Sequence, residues 1–136
     1  MREIIFRGKR ADNGEWVYGS LITERNMFDG NLMTMHIQDI EEPYDDNLID
    51  DETVGQFTGL TDKNGTKIFE GDIVKHIQKY EISGEVKSIA VIKWNEAYSC
   101  WSVEYTNGRI TAFLGTEYHK LEVIGNVHDN PELLKE

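Results

Sequence analysis

Thr53–Lys75 reads TVGQFTGLTDKNGTKIFEGDIVK. Asp62-Lys63-Asn64-Gly65 at its centre has the residue types of a tight chain reversal, with Gly65 free to take a positive φ. Gly71-Asp72 stands immediately before the β-branched pair Ile73-Val74. There Gly71 supplies a backbone shape closed to other residues, and the Asp72 carboxylate can accept hydrogen bonds from nearby amides. Gly55 and Gly59 mark bends where the backbone of one lobe passes close to the other. Turn chemistry accounts for Gly55, Gly59, Asn64, Gly65, Gly71 and Asp72 together, so this stretch predicts architecture rather than catalysis.

The same punctuation recurs outward from this centre. Asn13-Gly14, Asn107-Gly108 and Asp29-Gly30 are dipeptides that tolerate positive φ at both central positions of a hairpin. They separate short runs rich in Ile, Val, Tyr, Phe and Trp. Arg2–Arg7, Trp16–Ile22 and Asn31–Gln38 read as about three strands of a first lobe. Met33, Met35 and Ile37 alternate along the last of them. Asp72–Ile77, Ser83–Trp94, Trp101–Tyr105, Arg109–Leu114 and Leu121–Val127 read as five more. The slip of alternation between Val86 and Ile89 predicts a bulge. Five short strands joined by tight turns predict a small SH3-like β-barrel. Helix is confined to one turn near Pro131–Lys135, with Asn130 as N-cap and Pro131 at the first helical position. The chain is therefore expected to be mainly β. Residues 1–60 form a small antiparallel lobe, and 61–136 the barrel lobe, packed together and possibly folding as one unit.

Between the lobes lies Asp39–Glu52, DIEEPYDDNLIDDE, in which eight residues are Asp or Glu, and no Lys or Arg occurs from Asn26 to Asp62. Repulsion among these acids and the presence of Pro43 predict an extended loop, 39–52. The whole chain of 136 residues carries a net charge of −11. General attraction to phosphate backbones is thereby disfavoured, and direct nucleic-acid binding with it. No run approaches the ~20 apolar residues of a membrane span, and no signal segment begins the chain. The single cysteine, Cys100, excludes an internal disulfide framework and fits a reducing cytoplasm as a buried, inert thiol.

Catalytic and metal patterns are missing. His36, His76, His119 and His128 have no HExxH spacing, and no CxxC, P-loop, nucleotide fingerprint or G-x-S-x-G occurs. Asp72 and His76 share a strand face, but ~13 Å of extended chain separates them, too far for an acid–base couple. No cofactor, metal or catalytic residue is expected. Calcium loops need acids at alternating positions around a glycine, a pattern the acidic segment lacks. What remains is contact. Asp45, Asp46, Asp50, Asp51 and Glu52 could imitate nucleic-acid phosphates in a basic groove of another protein. Tyr98, in the loop Asn95–Ser99, is the aromatic expected to be exposed; Trp16, Trp94, Trp101 and Tyr105 are expected to pack. Unpaired strand edges could join subunits.

REIIFRG at residues 2–8, TVGQFTGLTDKNGTKIFEGDIVK at 53–75, VIKW at 91–94 and EVIGNVHDNPELL at 122–134 together resemble the YopX family of phage and prophage proteins. The likeness spans nearly the whole chain in order, and the central motif is the specific part. It implies a small, mostly-β, phage- or prophage-encoded protein of unknown activity that forms an oligomer, and it supplies no catalytic residues. The expectation drawn from residues and resemblance together is a non-enzymatic, homo-oligomeric binding or assembly protein of the bacterial cytoplasm. The alternatives are an acidic inhibitor of a basic host protein and, behind it, a small hydrolase built on Asp72 and a histidine.

Overall fold

The computed structural model describes residues 2–42, 46–112, 115 and 118–135. The chain divides into two compact units, Met1–Phe57 and Thr58–Glu136. It is mainly β, with two antiparallel sheets, and among the described residues helix occurs only as short 3-10 turns.

In the first unit, β1 (Phe6–Arg10), β2 (Trp16–Arg25), β3 (Leu32–Asp39) and the start of β4 (Asp46–Thr61) pair in that order. A further pairing of β1 with β4 closes the four strands on themselves, which removes free edges from the set. Val17, Ile37 and Ile49 form the buried centre, with Phe6, Leu21 and Val54 packed against them. Gly8 belongs where the strands crowd: a Cβ there would stand 2.5 Å from Ile49 Cγ2.

The acidic segment is not the extended loop expected for 39–52. Asp39 ends β3, and Asp46–Glu52 belongs to β4. Asn47 and Ile49 face inward while Asp46, Leu48 and Asp50 face out. This alternation orders the run because burying Ile49 and pairing with β3 outweigh repulsion among acids that all reach water. The first unit thus contributes four strands to its sheet where three were expected. β1 and β4 then lose register: Lys9 opposes Asp50, but Arg7 opposes Gly55. Thr53 fills the resulting bulge. Its Oγ1 accepts from Lys9 N (2.8 Å) and donates to Asp50 O (2.6 Å), replacing ladder bonds that the extra residues break.

In the second unit, β5 (Lys67–Phe69) pairs with β4. The main sheet is made of β6 (Asp72–Tyr80), β7 (Gly84–Asn95), β8 (Cys100–Tyr105), β9 (Ile110–Ala112) and β10 (Leu121–Asn126), in the order β10-β6-β7-β8-β9. Five strands were expected in this half. The pairings among the described residues make a five-stranded sheet, and none joins β9 to β10 to close a barrel. Ile68, Val74, Ala90, Ile92, Val103, Tyr105 and Leu121 form its buried core. The bulge expected between Val86 and Ile89 is absent: β6 and β7 stay in register from Ile73↔Val91 to Tyr80↔Gly84. Gly84–Lys87 are all exposed, so no buried face constrains that end and slipped alternation needs no backbone correction. The register shift lies in β10, between Val123 and Gly125.

The turns use Asn-Gly differently from the expected pattern of two positive φ angles. Gly14, Gly65 and Gly108 have φ of +74°, +83° and +88°, but none of the preceding asparagines is left-handed. The asparagine side chains instead act as acceptors: Asn13 Oδ1 takes Glu15 N and Asn107 Oδ1 takes Arg109 N, each at 2.9 Å. These are longer loops stabilised by side-chain-to-backbone bonds. The C-terminal helical turn is Pro131–Leu134, without a side-chain cap from Asn130. Asn130 Oδ1 accepts from Asn126 N (3.2 Å) instead, tying the turn back to β10.

Candidate functional site

The features that stand apart from the two cores are the outer ends of two hairpins. In the first unit, residues 22–31 are exposed except for half-buried Asn26. Both faces of this end of the β2–β3 ribbon therefore meet solvent. The turn is nevertheless well hydrogen-bonded. Asn26 Oδ1 accepts from Phe28 N (2.8 Å), Asn26 N donates to Asn31 O (2.9 Å), and Arg25 Nη1 donates to Gly30 O (3.2 Å). That frame presents Met27, 88% exposed, and Phe28, 94% exposed, with Ile22 and Met33 exposed behind them. In the second unit, residues 79–87 are exposed throughout, and Tyr80, Ile82 and Val86 are the apolar side chains on that ribbon end. Sequence reasoning passed over both ends because it treated the turns as punctuation. The available signal was an apolar pair, Met27-Phe28, inside a turn otherwise built of Asn, Asp and Gly.

The acidic residues singled out from sequence do not act as one group. Asp45 lies outside the described residues. Asp46 leans onto β3, where its Oδ1 is 3.2 Å from His36 Nδ1. His36 Nε2 lies 3.1 Å from Thr34 Oγ1 and 3.8 Å from Glu24 Oε1, so the imidazole sits between two carboxylates. Asp50 Oδ1 accepts from Glu52 N at 3.2 Å. Asp50, Asp51 and Glu52 are exposed at the bulge. Exposed Asp12 is held below the usual carboxylate range by its side-chain hydrogen bonds from Arg10.

Tyr98 is exposed, in a turn where Ser99 takes φ +50° and Asn95 Oδ1 accepts from Ala97 N and Tyr98 N. Beside it Trp94 and Trp101 meet edge to face, 5.0 Å between ring centroids. Cys100 is half-buried. Asp72 and His76 are both buried but have separate partners. Asp72 Oδ2 accepts from Phe69 N (2.7 Å), closing the turn at Glu70-Gly71, whereas His76 Nδ1 meets Tyr105 Oη at 2.5 Å. Gly71, at φ +87°, donates to Ile92 O and accepts from Val127 N, each at 2.9 Å. Gly59 also has positive φ, Gly55 opposes Arg7, and Asn64 N donates to Asp62 Oδ1. Among the described residues no three His, Cys, Asp or Glu side chains are grouped to hold a metal. Among the described residues no helix is long and apolar enough to cross a membrane.

Asp62 is the residue sequence reasoning undervalued. It is 6% exposed. Its Oδ1 accepts from Asn64 N (2.8 Å) and Thr66 N (2.9 Å), and its Oδ2 from Val123 N (2.9 Å). One carboxylate thus closes the turn of the central motif and fastens it to β10, sixty-one residues away.

These features define a small all-β protein with two five-stranded sheets, the first closed on itself through β1 and β4, and hairpins carrying exposed apolar ends. A family model described as YopX protein matches residues 5–135. The chain belongs to the YopX family. Its fold is similar to the crystal structure of protein EF1440 from Enterococcus faecalis, with a TM-score of 0.59 and 22% identity, covering 99% of this chain and 100% of that one. No curated protein matches the sequence.

Proposed function

We propose that this protein is a non-enzymatic binding or assembly protein that works as a homo-oligomer, with a second copy of the chain covering the exposed hairpin ends. The observation that carries this reading is the end of the β2–β3 ribbon. A two-stranded ribbon with both faces in water is marginal on its own. This one stays paired out to Arg25↔Leu32, across a register shift between Glu24 and Arg25, and presents Met27 and Phe28 from a hydrogen-bonded turn. Burying two such side chains stabilises a contact by about 1.5–3 kcal/mol each. The second ribbon end, with Tyr80 and Ile82, offers a further surface of the same kind. The separate bonding of Asp72 and His76 supports a role in contact over the small-hydrolase alternative. The YopX resemblance supports a phage or prophage origin and a place in the bacterial cytoplasm. Phe28→Asp and Ile82→Asp are expected to shift the oligomer toward single chains without unfolding them, since neither side chain belongs to a core. Sedimentation velocity reads the shift, and unchanged assembly in both variants would refute this reading.

The second reading is an acidic inhibitor of a basic host protein, favoured by the exposure of Asp50, Asp51 and Glu52 at the β4 bulge. On that reading, changing Asp45, Asp46, Asp50 and Asp51 to asparagine abolishes capture of a basic partner from host lysate. Equal recovery by both proteins dismisses it.

A further inference from the structure

A cavity of about 330 Å³ in the second unit lies between the β8–β9 hairpin, β7 and the C-terminal turn. Its polar lining comes from Lys87, Ser88, Thr106, Asn107, Arg109 and Lys135. Three cations line it and, among the described residues, no carboxylate does, although the chain as a whole carries −11. The imbalance follows the units. Met1–Phe57 has 13 acidic and 5 basic residues, net −8; Thr58–Glu136 has 12 and 9, net −3.

Arg109 gives the cavity its geometry. Its guanidinium carbon lies 4.7 Å over the centroid of the Tyr105 ring. That ring is buried, and its hydroxyl meets Nδ1 of His76, itself 1% exposed. The hairpin fixes the stack from the backbone, Tyr105 N donating to Arg109 O at 2.8 Å. A guanidinium carbon held over an aromatic face by a cation–π contact is only weakly hydrated, and its N–H donors remain available to an oxyanion. Asn107 spends its carbonyl oxygen on Arg109 N, so the amide group left to it is a donor. Ser88 and Thr106 add hydroxyls. Glu85 competes for Lys87 only weakly, at 3.6 Å on the exposed ribbon.

We infer that this cavity binds the phosphoryl group of a phosphate monoester. A carboxylate has two oxygens and one charge, and a single guanidinium fork satisfies it. The donors gathered here suit a doubly charged tetrahedral group with three terminal oxygens. The cavity is larger than a phosphate ion, and its remaining wall is apolar: Ile89, Leu133 and Leu134. The phosphoryl group sits against Arg109, Lys87 and Lys135, and the organic part against the apolar wall. The site shares only Lys87 with the second ribbon end; Ser88, Arg109 and Lys135 lie outside it, so phosphate binding and assembly are read by separate variants.

The test is an amide NMR titration of the full chain with inorganic phosphate and, separately, with a nucleoside 5′-monophosphate. Saturable shifts are expected at residues 87–89, 105–109 and 133–135. Arg109→Met weakens binding about tenfold or more, and Arg109→Lys, which keeps the charge but not the fork, by several-fold. Lys93→Met, on the same sheet but ion-paired with Glu104 at 3.0 Å, leaves the titration unchanged. Tighter binding of the monoester assigns the apolar wall to the organic group; equal affinities assign the site to the free anion. Shifts scattered over all lysines, no saturation, or equal losses from Arg109→Met and Lys93→Met would overturn the inference. Lys87→Met with Lys135→Met repeats the test without touching the Tyr105 stack.

Discussion

Gly19→Ala is expected to destabilise the first unit by about 3–4 kcal/mol, above the ~1–3 kcal/mol usual when a methyl is forced between side chains. A Cβ on Gly19 would lie 1.8 Å from Gln38 O, 2.9 Å from Gln38 C and 3.1 Å from Ile40 N. All three are backbone atoms of the neighbouring chain segment, so no rotamer change relieves the clash. β2 and β3 must part near Gly19↔Asp39, and the bond from Ile40 N to Tyr18 O is the first at risk. Gly14→Ala is the control. Gly14 has φ +74° but open space around it, so it should lose only about 1 kcal/mol from backbone strain. Urea unfolding followed at the Val17 and Ile37 amides measures both. Equal losses would show that crowding at Gly19 is relieved by movement absent from this structure.

Asp62→Ala is expected to cost about 3–4 kcal/mol in the second unit. The substitution strands three backbone N–H groups, those of Asn64, Thr66 and Val123. Hydrogen bonds to a charged acceptor contribute about 1.5–3 kcal/mol each, and some of that loss is recovered where water reaches the turn. Asp62→Asn keeps one carbonyl oxygen and should lose roughly half as much. Hydrogen exchange distinguishes local from distant effects. Faster exchange at Asn64 and Thr66 reports the turn; faster exchange at Val123 reports the link to β10. If only the turn amides respond, Asp62 is a local turn residue and its tie to β10 contributes nothing.

The glycines of the turns were legible because positive φ is a property of the single residue. How the asparagines beside them act was not: Asn13 and Asn107 could supply backbone shape or a side-chain acceptor, and loop length decides between these. β4 was hidden for a different reason. Its acids describe the solvent face, and the buried partners Asn47 and Ile49 are too few to outweigh them in a sequence pattern. The Thr53 bulge depends on the register of β1, which no local signal carries. Asp62 showed its turn role within five residues, but its bond to Val123 spans most of the second unit. The mainly-β character and the five strands of the second half were readable from alternation and turn spacing, whereas the closure of β1 on β4 was not. Asp46, read from sequence as one of the partner-binding acids, lies against His36, a contact that depends on the β3–β4 pairing. Tyr98 was expected to be exposed and is. The Arg109–Tyr105 stack had a signal that went unused: Tyr-Thr-Asn-Gly-Arg places an aromatic and a guanidinium at opposite ends of one hairpin turn.

Contact through the exposed ribbon ends is the claim on which the functional account rests, and the mass of the unmodified protein in solution tests it most directly. Sedimentation equilibrium at roughly 10 μM and above, where association of about −7 kcal/mol or tighter is detected, should give a multiple of two or more of 15.7 kDa. That multiple should fall toward one chain with Phe28→Asp. A single 15.7 kDa species across the whole concentration range would contradict the account.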